Sequence, residues 1–263
     1  MQCKDQLHTV FEFSQTPKRI VSLVPSQTEL LIDLGLKKQV VGITKFCTHP
    51  TSLKDEKTIV GGTKTIHLDK IRALQPDIII CNKEENTKEI VALCATIAPV
   101  WVSDVYTLKD ALEMISLLGT LFEKEEKAFD IVTNIRNQYT MFAEFIAQKN
   151  TKKVAYLIWQ KPFMVAGAHT FINDLLKVNK FENIVKTPTS RYPEMDIEDL
   201  KQADLILLSS EPFPFSKTHV KALEKATKKQ VLLVDGAYFS WYGSRLQNAF
   251  RYLKPCTNFK QPI

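Results

Sequence analysis

The stretch TKFCTHP, Thr44–Pro50, sets a cysteine and a histidine two residues apart in a loop that follows a run of strand character. At that spacing Cys47 and His49 can share a soft metal, or act as thiolate and base when an orienting third group comes near. Two ligands do not complete a structural zinc site, and no second HxH or CxxC pair supplies the others. Three readings stay open: a metal-handling pair, direct contact of Phe46, Cys47 and His49 with a ligand, or a structural loop. A second chemistry lies in VDGAYFSWYGSR, Val234–Arg245, where Tyr238, Phe239, Trp241 and Tyr242 crowd into five residues at a strand end. Four rings on one short loop cannot all point inward, so at least one is expected at the surface. With Trp159 in LIWQKPF they predict a wall of flat π faces suited to a large conjugated ligand, whose carboxylates Arg245 could meet. The alternative is a core of rings, with Tyr242 anchoring the first turn of the amphipathic helix YGSRLQNAFRYL.

Other signals carry less. The acidic helix starts KEENTKE (83–89) and RYPEMDIEDL (191–200) read as solvated faces with charge that suits a helix N-terminus. VGGTK, Val60–Lys64, is a glycine turn that fits neither phosphate-loop pattern, and no GxSxG or HExxH motif points to a hydrolase. His67, His169 and His219 stand alone and read as surface or capping residues. Cys3, Cys47, Cys81, Cys94 and Cys256 are odd in number and lack CxxC spacing, so free thiols are expected rather than a disulfide framework.

The elements that position these residues follow from periodicity. RIVSLVP (19–25), VVGIT (40–44), DIIICN (77–82) and VWVSD (100–104) are short β-branched runs, separated by helical spacing in SQTELLIDLG, LDKIRAL and NTKEIVALCATI. The same alternation returns with KVAYLIW (153–159), DLILLSS (204–210) and QVLLVDG (230–236). Near-continuous apolar strands joined by helices predict parallel sheets covered on both faces, hence two α/β lobes. In VPSQTEL, Ser26 is expected to cap a helix with Glu29 three residues on and Gly35 at its end, so the amides after Pro25 face the strand's carboxyl end, where open α/β sheets bind ligands. From Thr107 to Gln148 no proline occurs and Phe129, Val132, Ile135, Tyr139, Phe142 and Phe145 recur at helical spacing. A break at Gly119 would leave a helix of roughly 27 residues, about 40 Å long, linking the lobes. The expected domains are 1–120, a backbone helix over 121–150, and 151–263, with a nearly fixed ligand cleft between the lobes.

Composition is that of a globular chain: 263 residues, 44% hydrophobic and 24% charged, with a net charge of +6 spread along the sequence. No basic block points to nucleic acid, and no segment approaches the roughly 20 apolar residues of a membrane span. The start, MQCKDQLHTVFEFSQTPKR, holds no apolar leader core. As written the chain stays in the cytoplasm; had a leader been removed, Cys3 could be a former lipidation cysteine. No apolar face is left over for assembly, so a monomer is expected.

KRIVSLVPSQTELLIDLGLKKQVVGITKFCTHP and VGGTKTIHLDKIRALQPDIIICNKEEN resemble the helical-backbone substrate-binding proteins of ABC importers, which carry cobalamin, haem and iron-siderophores. The resemblance extends through FINDLLKVNKFENIV and YPEMDIEDLKQADLILLSS, and the cobalamin branch is the most similar. It implies a non-enzymatic carrier with no covalent cofactor, envelope location and a permease partner. It also implies ligand contacts at Pro25, Ser26, Phe46–Pro50, Trp159–Phe163 and Phe239–Arg245. The family docks through one exposed glutamate per lobe. Glu198 matches in the second lobe; in the first the aligned position is Lys88, flanked by Glu85 and Glu89. Asn82 and Tyr192 stand where the cobalamin branch has tryptophans. The competing class is a cytoplasmic metal- or corrinoid-handling protein or enzyme using Cys47 and His49.

Overall fold

Every apolar run singled out above is a strand. The computed structural model describes residues 2–186 and 190–256, and the side chains of Pro255 and Cys256 lie outside the described residues. The chain divides into two units, each built on its own sheet.

The first unit holds Met1–Val105, Lys109–Asn134 and Tyr242–Arg245. In chain order its elements are β1 (Gln2–Lys4), β2 (Val10–Glu12), β3 (Ile20–Ser22), α1 (Pro25–Asp33), β4 (Val40–Ile43), α2 (Leu53–Glu56), β5 (Thr58–Ile59), α3 (Leu68–Ala73), β6 (Ile78–Asn82), α4 (Lys88–Ala95), β7 (Val100–Ser103), α5 (Leu108–Leu121) and the first part of α6 (Glu125–Ile146). Five strands run parallel in the order β5-β4-β3-β6-β7, while β1 and β2 form a separate hairpin. Because β3 and β6 are covered on both faces, every residue in them is buried, which is why they read as unbroken apolar runs. The strand order reverses beside β3: β4 lies on one side and β6 on the other. A crevice at the carboxyl ends follows at that reversal.

The second unit holds Tyr106–Leu108, Ile135–Trp241 and Leu246–Ile263. It adds β8 (Lys152–Trp159), β9 (Phe163–Val165), α7 (Phe171–Val178), β10 (Phe181–Asn183), β11 (Glu194–Met195), α8 (Ile197–Leu200), β12 (Leu205–Ser209), α9 (Lys217–Thr227), β13 (Gln230–Val234), α10 (Ala237–Ser240) and α11 (Leu246–Cys256). The strands β10, β8, β12 and β13 are parallel. An antiparallel pair, β9 and β11, extends the edge beyond the carboxyl half of β8. These strands of three and two residues are too short to show a period, and periodicity missed them. Here the reversal lies between β8 and β12, so the ends of those strands, Trp159 and Ser209, flank the corresponding crevice.

The long helix differs from expectation. Gly119 does not break it. The break comes at Phe122–Lys124, where Glu123 takes a left-handed φ of 52° and Lys124 N donates to Gly119 O at 2.7 Å, closing α5. The second helix, α6, has 22 residues, about 33 Å, and the division between the units falls within it, at Asn134 and Ile135. Along it Val132, Ile135 and Phe142 are buried, whereas Phe129 is 70% exposed. Gly119 serves packing: a Cβ there would overlap the Cβ of Ala128 on α6. In an open helix, glycine to alanine gains about 1 kcal/mol. Gly119→Ala is expected instead to lose about 1–3 kcal/mol through overpacking. Urea denaturation reads this directly, and a raised midpoint would contradict the contact.

Candidate ligand-binding site

In the first unit, the loop after β4 exposes one ring and hides its thiol. Phe46 is 49% exposed and lies against Gly62, and the Lys45 ammonium stands 5.1 Å from its ring centre. Cys47 is buried, its Sγ 3.1 Å from Thr28 Oγ1 and 3.3 Å from Thr44 Oγ1. Burial pushes the Cys47 thiol up despite those two hydroxyls, which disfavours the thiolate. Thr28 Oγ1 also donates to Ser22 Oγ at 2.8 Å, extending the buried polar chain beneath the carboxyl ends of the sheet. His49 is half-buried, and among the described residues no group of three His, Cys, Asp or Glu side chains could hold a metal.

Helix α1 begins two residues earlier than the capping pattern suggested. Proline is pre-organised for the first helical position, so Pro25 takes it, Val24 becomes the cap without a side-chain bond, and Ser26 turns inward with 5% exposure. The buried Tyr242 comes from the other end of the first unit's chain; burial, reinforced by the charges of Glu85 and Glu84, pushes its phenol well up against the lowering influence of Ser26 and Gln27. Asn82, where the resemblance expects a tryptophan, builds the next turn: its Oδ1 accepts from the amides of Glu84 at 2.8 Å and Glu85 at 3.1 Å, while Nδ2 donates to Ser103 Oγ at 2.9 Å. Gln27 donates to the same Ser103 hydroxyl. An asparagine at a strand end was the available signal for that turn.

The aromatic stretch splits at Trp241. Tyr242–Arg245 belong to the first unit and clasp α1. Ser244 Oγ donates to Asp33 Oδ2 at 2.5 Å, and Gly243 lies so close that a Cβ would stand 2.7 Å from Ser26 O. Arg245 meets Glu29 bidentately, Nε at 3.0 Å and Nη2 at 2.7 Å, with side-chain exposures of 12% and 16%. Its expected role as a clamp for ligand carboxylates is therefore replaced by an internal pair. Burial, joined by the nearby charge of Asp33, leaves the Glu29 pKa raised although Arg245 pulls it down.

The second unit holds three of the four crowded rings, and only one of them approaches the surface. Tyr238 is half-buried and stacks on Tyr252 at 4.4 Å and 16°. Phe239 is fully buried against Tyr156, with centroids 5.1 Å apart, and is a core ring rather than part of a wall. Trp241 is 9% exposed. Trp159 is the exposed ring at 40%, held edge-on by Phe213 at 5.5 Å. Phe163 and Tyr192 are half-buried. Arg191 stacks on the Tyr106 ring at 4.7 Å and donates to its hydroxyl. On α8, Asp196 and Asp199 form the capping box, leaving Glu198 exposed with Lys201 at 2.5 Å. On α4 the cap is Thr87, with Glu89 exposed in the first turn; Glu85 lies half-buried before it. His219 is a capping residue, its Nδ1 accepting from Ser216 N at 2.9 Å; His67 and His169 are exposed.

The sequence profile described as "Periplasmic binding protein" matches residues 20–235. The chain belongs to the periplasmic binding protein family. This is a family of binding proteins rather than enzymes. An uncharacterized ABC transporter substrate-binding lipoprotein of Bacillus subtilis is 27% identical over 181 residues, which is 66% of this chain and 57% of that relative. A vitamin B12-binding protein of Vibrio campbellii is 26% identical over 195 residues, 73% of this chain and 70% of the relative. The solved periplasmic vitamin B12 binding protein of Vibrio cholerae has the same fold, with a TM-score of 0.80 at 21% identity over 94% of this chain and 99% of that one.

For a family member of this kind the Glu29–Arg245 pair is a structural clasp, and its energetics can be tested apart from any ligand. Removing one partner leaves the other half-buried and unpaired, so Glu29→Ala and Arg245→Ala are each expected to cost about 2–3 kcal/mol. The double variant should cost clearly less than the sum in urea unfolding. Additive losses would show that the pair is not coupled.

Proposed function

We propose that this protein captures a metal chelate, cobalamin-like in first place, and delivers it to the permease of an ABC importer in the cell envelope. The likeness to a vitamin B12-binding protein across 73% of the chain carries the proposal. The exposed rings Phe46, on the loop after β4, and Trp159, the last residue of β8, support it as ligand contacts, with Pro25, Phe163, Tyr192 and Tyr238 as partly accessible neighbours and Trp241, 9% exposed, as the least accessible of the set.

The charge pattern favours cobalamin over the neighbouring choices. An iron-siderophore, or haem with its propionates, calls for guanidinium groups, and Arg191 and Arg245 are both engaged, one on Tyr106 and one on Glu29. Haem would also want an axial group; His49 and Tyr238 are half-buried, whereas Cys47 is closed off. The exposed carboxylates Glu198 and Glu89 are the proposed permease contacts, and Glu85, bearing on Tyr242, is the weaker one. We take the carrier to be a monomer. The metal-handling alternative built on Cys47 and His49 has against it the burial of the thiol among threonines.

Difference absorption and tryptophan fluorescence, followed during titration with cyanocobalamin, haem and a ferric hydroxamate, test the proposal. Saturable one-to-one quenching by cyanocobalamin is expected. Phe46→Ala and Trp159→Ala should each weaken binding about tenfold, a loss of about 1.4 kcal/mol. The double change Cys47→Ala, His49→Ala should retain most of the affinity. Silence with all three chelates, or abolished binding in that double variant, would overturn the proposal.

A further inference from the structure

The segment SSEPFPFSKTH leaves the carboxyl end of β12, the strand between β8 and β13, and it touches the rings at the ends of both neighbours. At its head, Glu211 Oε1 accepts from the indole Nε1 of Trp241 at 2.8 Å and lies 3.1 Å from Ser240 Oγ. Ser240 has a single hydroxyl proton and is closer, 2.9 Å, to the carbonyl of Gly236. The indole N–H is thus the donor with the firmer claim on the carboxylate, and a bond to a charged acceptor is among the strong ones.

Glu211 is itself held in place. Its backbone carbonyl accepts from Ser209 Oγ at 2.6 Å, and that oxygen accepts from the buried Tyr156 hydroxyl at 3.2 Å. Gly236 makes room, since a Cβ there would stand 2.6 Å from Glu211 Cγ. Two residues on, Phe213 takes Trp159 edge-on at 5.5 Å and is backed by Phe215 at 4.8 Å.

We propose that Glu211 is a positioning residue for ligand recognition: it sets the orientation of the Trp241 indole, while Phe213 of the same loop sets that of Trp159. One short segment then holds two rings from opposite sides of β12. This rests on the metal-chelate reading for the identity of the ligand, but the orienting role has a readout of its own.

The chain has three tryptophans, Trp101, Trp159 and Trp241, so indole 15N labelling resolves three side-chain N–H resonances, assignable by tryptophan-to-phenylalanine variants. In Glu211→Gln the charged acceptor is gone with little change of shape. The Trp241 resonance is expected to move upfield while Trp101 holds, and cyanocobalamin affinity to fall about tenfold. Trp241→Phe should lose a similar factor, and adding it to Glu211→Gln should cost nothing further. Phe213→Leu should move the Trp159 resonance and leave Trp241 in place. An unmoved Trp241 resonance in Glu211→Gln would overturn the orienting role, and a moved resonance with unchanged affinity would overturn its part in recognition. If the wild-type chain bound none of the three chelates while the Trp241 shift was present, the ligand reading would fall and the orienting role would stand. Should Glu211→Gln not fold, Trp241→Phe with wild-type affinity would itself overturn the proposal.

Discussion

Parallel strands cannot be joined by tight turns, and that constraint organises this molecule. Each strand must return through a covering helix, so all carboxyl ends in a sheet, and the helix starts that follow them, gather along one edge. Both sheets obey it, and each places its strand-order reversal where the notable side chains are: beside β3 and β6 in the first unit, between β8 and β12 in the second. Burial of both sheet faces accounts for the apolar runs, and the polar groups collect at the edge because little else in either sheet is open to them.

At those edges the chain invests in fixed polar networks rather than in loose exposed groups. Thr28, Thr44 and Ser22 surround Cys47; Asn82 and Gln27 share Ser103; Glu211 takes Trp241. Buried polar groups of this kind are costly unless satisfied, and once satisfied they hold a loop in one conformation. The Glu29–Arg245 pair has the same character: burial raises the carboxylate's pKa against the pull of its partner, yet the contact binds Tyr242–Arg245 to α1. The yield is placement of a segment rather than net stability.

How much was legible in the sequence follows from the same physics. IVS, IIICN and LILLS were readable because burial on two faces demands uninterrupted apolar residues. The pairs β1–β2 and β9–β11 were not, because short strands that are open on one side show neither an unbroken buried run nor enough residues for a period. Gly119 was misjudged because glycine has two uses in a helix, and sequence alone does not distinguish a stop from a close approach. The candidate site was partly legible. Phe46 and Trp159 are exposed, and Glu198 lies outside the capping box. Phe239, Cys47 and Arg245 had suitable chemistry but found partners inside: Tyr156, two threonines and Glu29. Glu211 carried no signal, since a lone glutamate after a strand resembles any solvated turn until the indole arrives from 30 residues away.

We propose that the ligand contacts lie on carboxyl-end loops rather than on the covering helices. Hydrogen–deuterium exchange of the whole chain with and without saturating cyanocobalamin tests it most directly. The account predicts added protection in peptides covering 44–50, 159–163 and 236–242, with α4, α9 and the outer turns of α6 unchanged. Protection confined to those helices, with the three loops exchanging as in the free protein, would contradict it.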